Sequence, residues 1–428
     1  MFSSTILSSA LAALTILPSL STAAPTKRGD TLKFDFGNEK VRGVNLGGWF
    51  VLEPWITPSI FQAEPDWVVD EYTLCQNQGG NAYNILSNHW NTWITQSDIQ
   101  EIAAAGLNFV RIPIGYWSVS PIEGDPYVQG AYDVLGQAIG WAGDAGINVM
   151  IDLHGAPGSQ NGFDNSGRKG NIEWGTGDTI SQTHTALNKI RDDWASNSAV
   201  AAIELVNEPM ASASSIGSGT LQQFYQDGWG DLEGSNVAIT FHDGFEGVNA
   251  WNNWGSGMWA LLEDTHHYEI FDCGSLTMSI QDHVSEACSF GGQMASNNKW
   301  TIAGEFTGAI TDCAIWLNGK GVGARYDGTY NVDGSTCTAQ GSCDGKSNGT
   351  VAGMSAADKG NVGKFINAQL DAFEQAAGWI FWTWKTESAP EWHMQDLLKN
   401  GIFPNPVSSR TCKSFIDDYV LDIMLTCY

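Results

Sequence analysis

The chain has 428 residues, with 47 acidic against 20 basic side chains and a formal net charge of −27. That balance excludes nucleic acid and an anionic membrane surface as partners, because both draw affinity from a positive field. With 43% hydrophobic and only 16% charged residues, disorder is excluded for most of the chain.

Residues 1–23 carry an apolar run of roughly 15 residues closed by Ser21, Thr22 and Ala23, the pattern of a secretory signal and too short for a membrane span. Lys27-Arg28 suits a dibasic processing protease, so 24–28 reads as a short pro-segment and 29–428 as one working domain. The expected location is outside the cell, in the medium or the wall, and nothing calls for a second copy of the chain.

Eight short apolar or β-branched runs follow, at 41–48, 107–115, 147–155, 201–209, 236–244, 261–268, 300–306 and 378–384. Near-continuous apolar runs suit parallel strands covered on both faces, and eight of them alternating with helical stretches predict an α/β fold, a single (β/α)8 TIM barrel. Residues 97–106 read as a helix capped by Ser97 and ended by Gly106, and 131–146 as another. The segment 307–360, rich in Gly, Ser, Asn and Cys, reads as an ordered, disulfide-held excursion at the C-terminal face.

Eight cysteines fit an oxidising compartment. Cys273, Cys288, Cys313, Cys337, Cys343, Cys412 and Cys427 all lie after residue 270, which predicts a stapled C-terminal region. Cys313 is expected to bridge to Cys343 or Cys337, and Cys288 or Cys273 to the tail at Cys427 or Cys412. Cys75 is left without an assigned partner. Asn348-Gly349-Thr350 is the one glycosylation sequon.

In such a barrel the chemistry sits where strands finish. The predicted strands end, in order, on Asn45; Arg111; Asp152 and His154; Asn207 and Glu208; His242 and Asp243; His266 and Tyr268; Glu305; and Trp382 and Trp384. Glu208 and Glu305 have no basic neighbour in sequence. Cleaving a glycosidic bond needs two carboxyls, one protonated for the leaving oxygen and one ionised to attack carbon or activate water. His266 and Tyr268, two apart on a strand, share a face while His267 points away. Metal-dependent hydrolysis lacks an HExxH, serine hydrolysis lacks a GxSxG, and no GxGxxG supports a dinucleotide.

The segments VRGVNLGGWFVLEPW, LNFVRIPIGYW, IDLHGAPGSQNGFDNSG, ELVNEP, HHYEIF, AGEFTGAITDCAIWLNG and GWIFWTWKTESAPEW resemble glycoside hydrolase family 5, and within it the fungal exo-β-1,3-glucanases, from about residue 34 onward. The resemblance implies a retaining hydrolase that releases glucose from non-reducing ends of β-1,3-glucan, without a cofactor. It implies Glu208 as acid/base and Glu305 as nucleophile, with Arg111, His154, Asn207, His266, Tyr268 and Trp382 around the cleaved sugar. Glu53 would hold terminal hydroxyls, and Phe163, Asn165, Phe245 and Phe271 would lie nearer the mouth. Trp55 stands where the family pattern has Tyr. The 19 Trp gain a use, since aromatic faces stack on pyranose rings. An endo-acting or β-1,6-specific glucanase of the same fold, and an inactive glucan-binding wall protein, are the competing readings. On the resemblance, Glu208 should be kept protonated by burial and nearby negative charge, and Glu305 ionised by Arg111.

Overall fold

A computed structural model describes residues 31–409 apart from 333, 335 and 336. Eight parallel strands close into a barrel in chain order. They are β1 (Val41–Asn45), β2 (Phe109–Gly115), β3 (Asn148–Gly155), β4 (Val200–Glu204), β5 (Ala238–His242), β6 (Leu261–His267), β7 (Trp300–Phe306) and β8 (Gly378–Phe381). Several stop short of the predicted runs, because beyond them the chain turns into the loops that carry the polar residues.

The interior is layered. Val41, Phe109, Met150, Ala202, Ala238, Leu262, Ile302 and Ile380 pack into one apolar plug, with Phe34 and Phe36 against it at the N-terminal end. The next inward positions are polar and fully buried: Asn45, Arg111, Asp152, Glu204, Thr240 and Asp264. Outward residues such as Val44, Ile112, Ile151, Ile203, Phe241 and Phe306 join the larger cluster under the helices. Alternation along each strand therefore separates an oily shell from a charged bore.

The expected helices are present over Gln96–Ala104 and Ala131–Asp144. The first is capped by Thr95 rather than Ser97: the Asp98 carboxylate accepts the Thr95 N–H at 2.8 Å while the Thr95 hydroxyl accepts the Asp98 N–H at 3.4 Å.

The excursion after β7 holds no strand among its described residues. Cys313–Cys343 closes it on itself, with Cα atoms 5.3 Å apart. Cys273 bonds Cys337, not the tail. The loop after β6 and the excursion are neighbours on the same end of the barrel, an adjacency that spacing along the chain does not reveal. Cys288 is disulfide-bonded too; its expected tail partners, Cys412 and Cys427, lie outside the described residues, as do the signal and pro-segment. Cys75 is a buried free thiol. No helix among the described residues is long and apolar enough to cross a membrane.

The loop after β1 carries Glu53 and is anchored by a buried carboxyl behind it. Glu71 accepts the Leu52 N–H and the Trp117 indole N–H, each at 3.0 Å. Burial pushes Glu71 up to about 7, and it does the same to Glu391. A carboxyl that keeps its proton to higher pH when folded binds more protons in the native state, so stability falls as pH rises between the two pKa values. The melting temperature should therefore drop between pH 4.5 and 7, with a shallower slope in Glu71→Gln. A variant slope equal to that of the parent would refute the role given to Glu71.

Candidate active site

Arg111 is the hub of the polar layer. Its Nε donates to Glu204 at 2.7 Å, Nη1 to Asn45 at 3.1 Å and to Glu305 at 2.9 Å, and Nη2 to Asn207 at 2.8 Å. Nη2 also lies 3.1 Å from Asp152. One fully buried guanidinium thus ties β1, β2, β3, β4 and β7 together, using the planar fork that lysine lacks.

Glu208 and Glu305 meet at the C-terminal mouth. Glu208 lies four residues past the end of β4 in a left-handed backbone conformation, φ 45°. Gln160 fixes that turn by donating to the carbonyls of His154 at 2.7 Å and Asn207 at 2.8 Å. Oε1 of Glu208 faces His266 Nδ1 at 2.7 Å, and Oε2 accepts from Asn165 at 3.0 Å. Across the mouth, Tyr268 donates its hydroxyl to Glu305 Oε2 at 2.8 Å. His266 Nδ1 is 3.5 Å from that same oxygen. His266 and Tyr268 thus do reach the same site, but the histidine serves Glu208 first.

The protonation order differs from the one expected. Burial raises the Glu305 pKa above its ordinary value, outweighing the downward pull of His266 and Arg111. Burial acts on Glu208 as well, yet the His266 bond and charge overcome it, and Glu208 is lowered to about 2. His266 itself, although burial opposes its charge, is held cationic by Glu305 and Asp264 together with its bond to Glu208. The order reverses because Arg111 divides its charge among Glu204, Asp152 and Glu305, whereas His266 spends its short bond on Glu208. Ring and carboxyl lie 2.7 Å apart, close enough to pass a proton directly.

Several buried polar atoms around this pair make no hydrogen bond within the protein: Glu53 Oε1, His154 Nε2 and Asn207 Nδ2. Glu53 Oε2 is occupied by the Trp55 indole N–H at 2.9 Å, and Trp55 packs edge-on against Trp392. The tryptophan that departs from the family pattern therefore still supplies a donor to Glu53. Trp382 stacks on His154 with rings 5.5 Å apart. Gly47 is required beneath it, since a Cβ there would come within 2.8 Å of the indole. At the rim Phe163, Phe245 and Phe271 are exposed. Phe245 packs on His242 and Phe271 on Tyr268.

Arg111, His154, Asn165, Asn207, His266, Tyr268 and Trp382 lie around the two carboxyls, whereas Trp384 donates its indole to Asp98 on the helix Gln96–Ala104, behind the barrel wall. Sequence reasoning missed Gln160, Trp392 and the carboxylates Glu204 and Asp264 beneath the pair. For Asp264 a signal existed: it lies two before His266 and so shares its face. A second concavity of about 750 Å³, lined by residues including Phe34, Phe36, Trp259 and Trp300, opens at the opposite end of the barrel, away from both carboxylates.

Glu208, His242 and His266 bring ligand atoms within 4.8 Å of one another. The donor set does not fit a cation. His242 Nδ1 accepts the Gly244 N–H at 3.0 Å, so its proton sits on Nε2 and no lone pair is free. His266 faces a carboxylate with each nitrogen, at 2.7 Å and 3.5 Å.

Comparison with known proteins agrees with this geometry. Residues 75–253 match the family described as cellulase, glycosyl hydrolase family 5. A protein named probable glucan 1,3-beta-glucosidase A, from Aspergillus niger, is 50% identical over 94% of this chain and 96% of its own length. The glucan 1,3-beta-glucosidase of Blumeria graminis is also 50% identical, over 94% of this chain and 96% of its own. Among solved structures, rutinosidase from Aspergillus niger shares the fold, with a TM-score of 0.68 at 18% identity, covering 87% of this chain and 99% of that one. With two carboxyls at the ends of β4 and β7 and relatives of this identity along nearly its whole length, the chain belongs to glycosyl hydrolase family 5.

Proposed function

We propose that this protein is a secreted retaining exo-glucanase that releases glucose from the non-reducing ends of β-1,3-glucan. The observation that carries the reading is the Glu208–His266–Glu305 cluster. The facing oxygens of the two carboxylates can be no farther apart than the sum of their 2.7 Å and 3.5 Å distances to His266 Nδ1. That is short of the ~6.5–9.5 Å an inverting pair needs to admit water. The curated relatives are named for the 1,3-β linkage.

In the first step Glu305 attacks the anomeric carbon while Glu208 delivers a proton to the departing oxygen; in the second, Glu208 takes a proton from water, which displaces Glu305. As the leaving oxygen approaches, the proton held at His266 crosses the 2.7 Å contact to Glu208. Arg111 and Tyr268 each occupy one oxygen of Glu305 and aim it.

Exo action rests on Glu53, a buried carboxyl with one unbonded oxygen, and on loops that wall the pocket. Lys320 of the excursion donates to the carbonyls of Glu64 and Pro65, each at 3.0 Å, joining the excursion to the loop after β1. Secretion is supported by the disulfides, and glycan attachment by the exposed Asn348. We take the working enzyme to be a monomer comprising residues 29–428.

Product analysis on laminarin tests the reading. Glucose should appear from the first turnover, initially as the β-anomer. Early laminaritriose without glucose would show endo action, α-glucose would show inversion, and faster turnover of a β-1,6-glucan would reassign the linkage.

A further inference from the structure

The pairing of β6 with β7 contains an irregularity next to Glu305. Asp264 pairs with Ile302 and Thr265 with Ala303, but His266 then pairs with Glu305 and His267 with Phe306. Gly304 is therefore an extra residue on β7, a one-residue bulge. Its consequence follows from the two-residue period of a strand. Ile302 points into the apolar plug of the barrel. An unbroken strand would next turn residue 304 inward and send Glu305 outward to the helices. The extra residue reverses this: Glu305 points into the mouth and bonds Arg111, while Phe306 points out and packs against Phe373, Trp379 and Phe381.

Two side chains hold the bulge, Asp264 at its amide and Asn45 at its carbonyl. The Gly304 N–H donates to Asp264 Oδ1 at 2.7 Å, and the Gly304 carbonyl accepts from Asn45 at 2.8 Å. A Cβ at position 304 would sit 2.1 Å from both Asp264 oxygens, so only glycine lets the carboxylate approach this closely. Asp264 is fully buried, and its other oxygen makes no hydrogen bond; it lies 3.5 Å from His266 Nε2 and 3.9 Å from Arg111 Nε. The carboxylate thus faces two cations at longer range, and its one short contact is to the Gly304 amide.

We propose that Asp264 is a positioning residue for the nucleophile: by gripping the Gly304 bulge it turns Glu305 into the pocket and sets its distance from the anomeric carbon. The inference rests on the reading of Glu305 as nucleophile. Its test uses 2,4-dinitrophenyl β-glucoside, whose leaving group needs no proton, so that effects on Glu208 drop out. Asp264→Ala should lower kcat by about a hundredfold, the scale of a nucleophile misplaced by an ångström, with KM changed little. In the Glu305→Ala background, where azide supplies the attack, adding Asp264→Ala should alter the rescued rate less than about twofold.

An equal loss in both backgrounds would mean general disruption of the site, and no loss in the parent would mean that the bulge holds itself; either overturns the proposal. If Glu305→Ala is not rescued by azide at all, the nucleophile reading fails first and Asp264 with it. Should the alanine variant not fold, Asp264→Asn, which keeps the shape and one acceptor oxygen, carries the same comparison with a loss of about tenfold.

Discussion

Glu305→Ala should be inert on glucan and on aryl glucosides, and azide should restore turnover of an activated β-glucoside with α-glucosyl azide as product. The anion fits the space left by the carboxylate and attacks the face that Glu305 used, so the product is inverted. Glu208→Ala should behave differently. Glycosylation by substrates with good leaving groups persists, and azide, entering from the side where Glu208 would have activated water, yields β-glucosyl azide. The protein's own geometry favours this division of labour: Arg111 and Tyr268 immobilise both oxygens of Glu305. Glu208 instead is bonded to a titratable ring at 2.7 Å and to an amide at 3.0 Å, partners suited to a group that must gain and lose a proton. Swapped anomers would invert the assignment.

The second large effect is expected at Glu53. Glu53→Ala should lower kcat/KM on laminarin about 10²–10³-fold without unfolding the protein, because hydroxyls of the terminal glucose lose a buried carboxyl partner, one whose pKa burial and the neighbouring Asp164 hold well above the usual carboxylate range. Trp55 fixes one oxygen, leaving Oε1 for ligand. A chain extending past this point would strand the buried carboxyl oxygen unpaired, which penalises internal binding and enforces action at chain ends. A variant that keeps its rate on laminarin, or a parent enzyme whose first products are long fragments, would show that Glu53 does not close the pocket.

Much of this architecture was legible in one dimension. Burial on both faces makes parallel strands read as apolar runs, so the eight barrel strands could be located from sequence, β7 to the residue at both ends, Trp300–Phe306. Polar residues at the strand ends identified Arg111, His154, Glu208, His266 and Glu305, since a packed bore leaves few other places for them. The family resemblance added the residues on loops, Glu53, Phe163 and Asn165, which no strand period could have placed.

Tertiary structure decided what depends on partners distant in the chain. Cys273 paired with Cys337 because two loops are neighbours in space. The acid order of Glu208 and Glu305 was set by which carboxylate received the short His266 bond, and local sequence around either glutamate is silent on that. Strand period alone would have sent Glu305 away from the pocket once Ile302 was placed inside; the Gly304 bulge returns it, held by a carboxylate 40 positions earlier. Hydrophobic periodicity records burial one residue at a time, and so it determines which strands exist. The aim and charge of a catalytic side chain depend on contacts a few tenths of an ångström from failing, and these form only when the barrel closes.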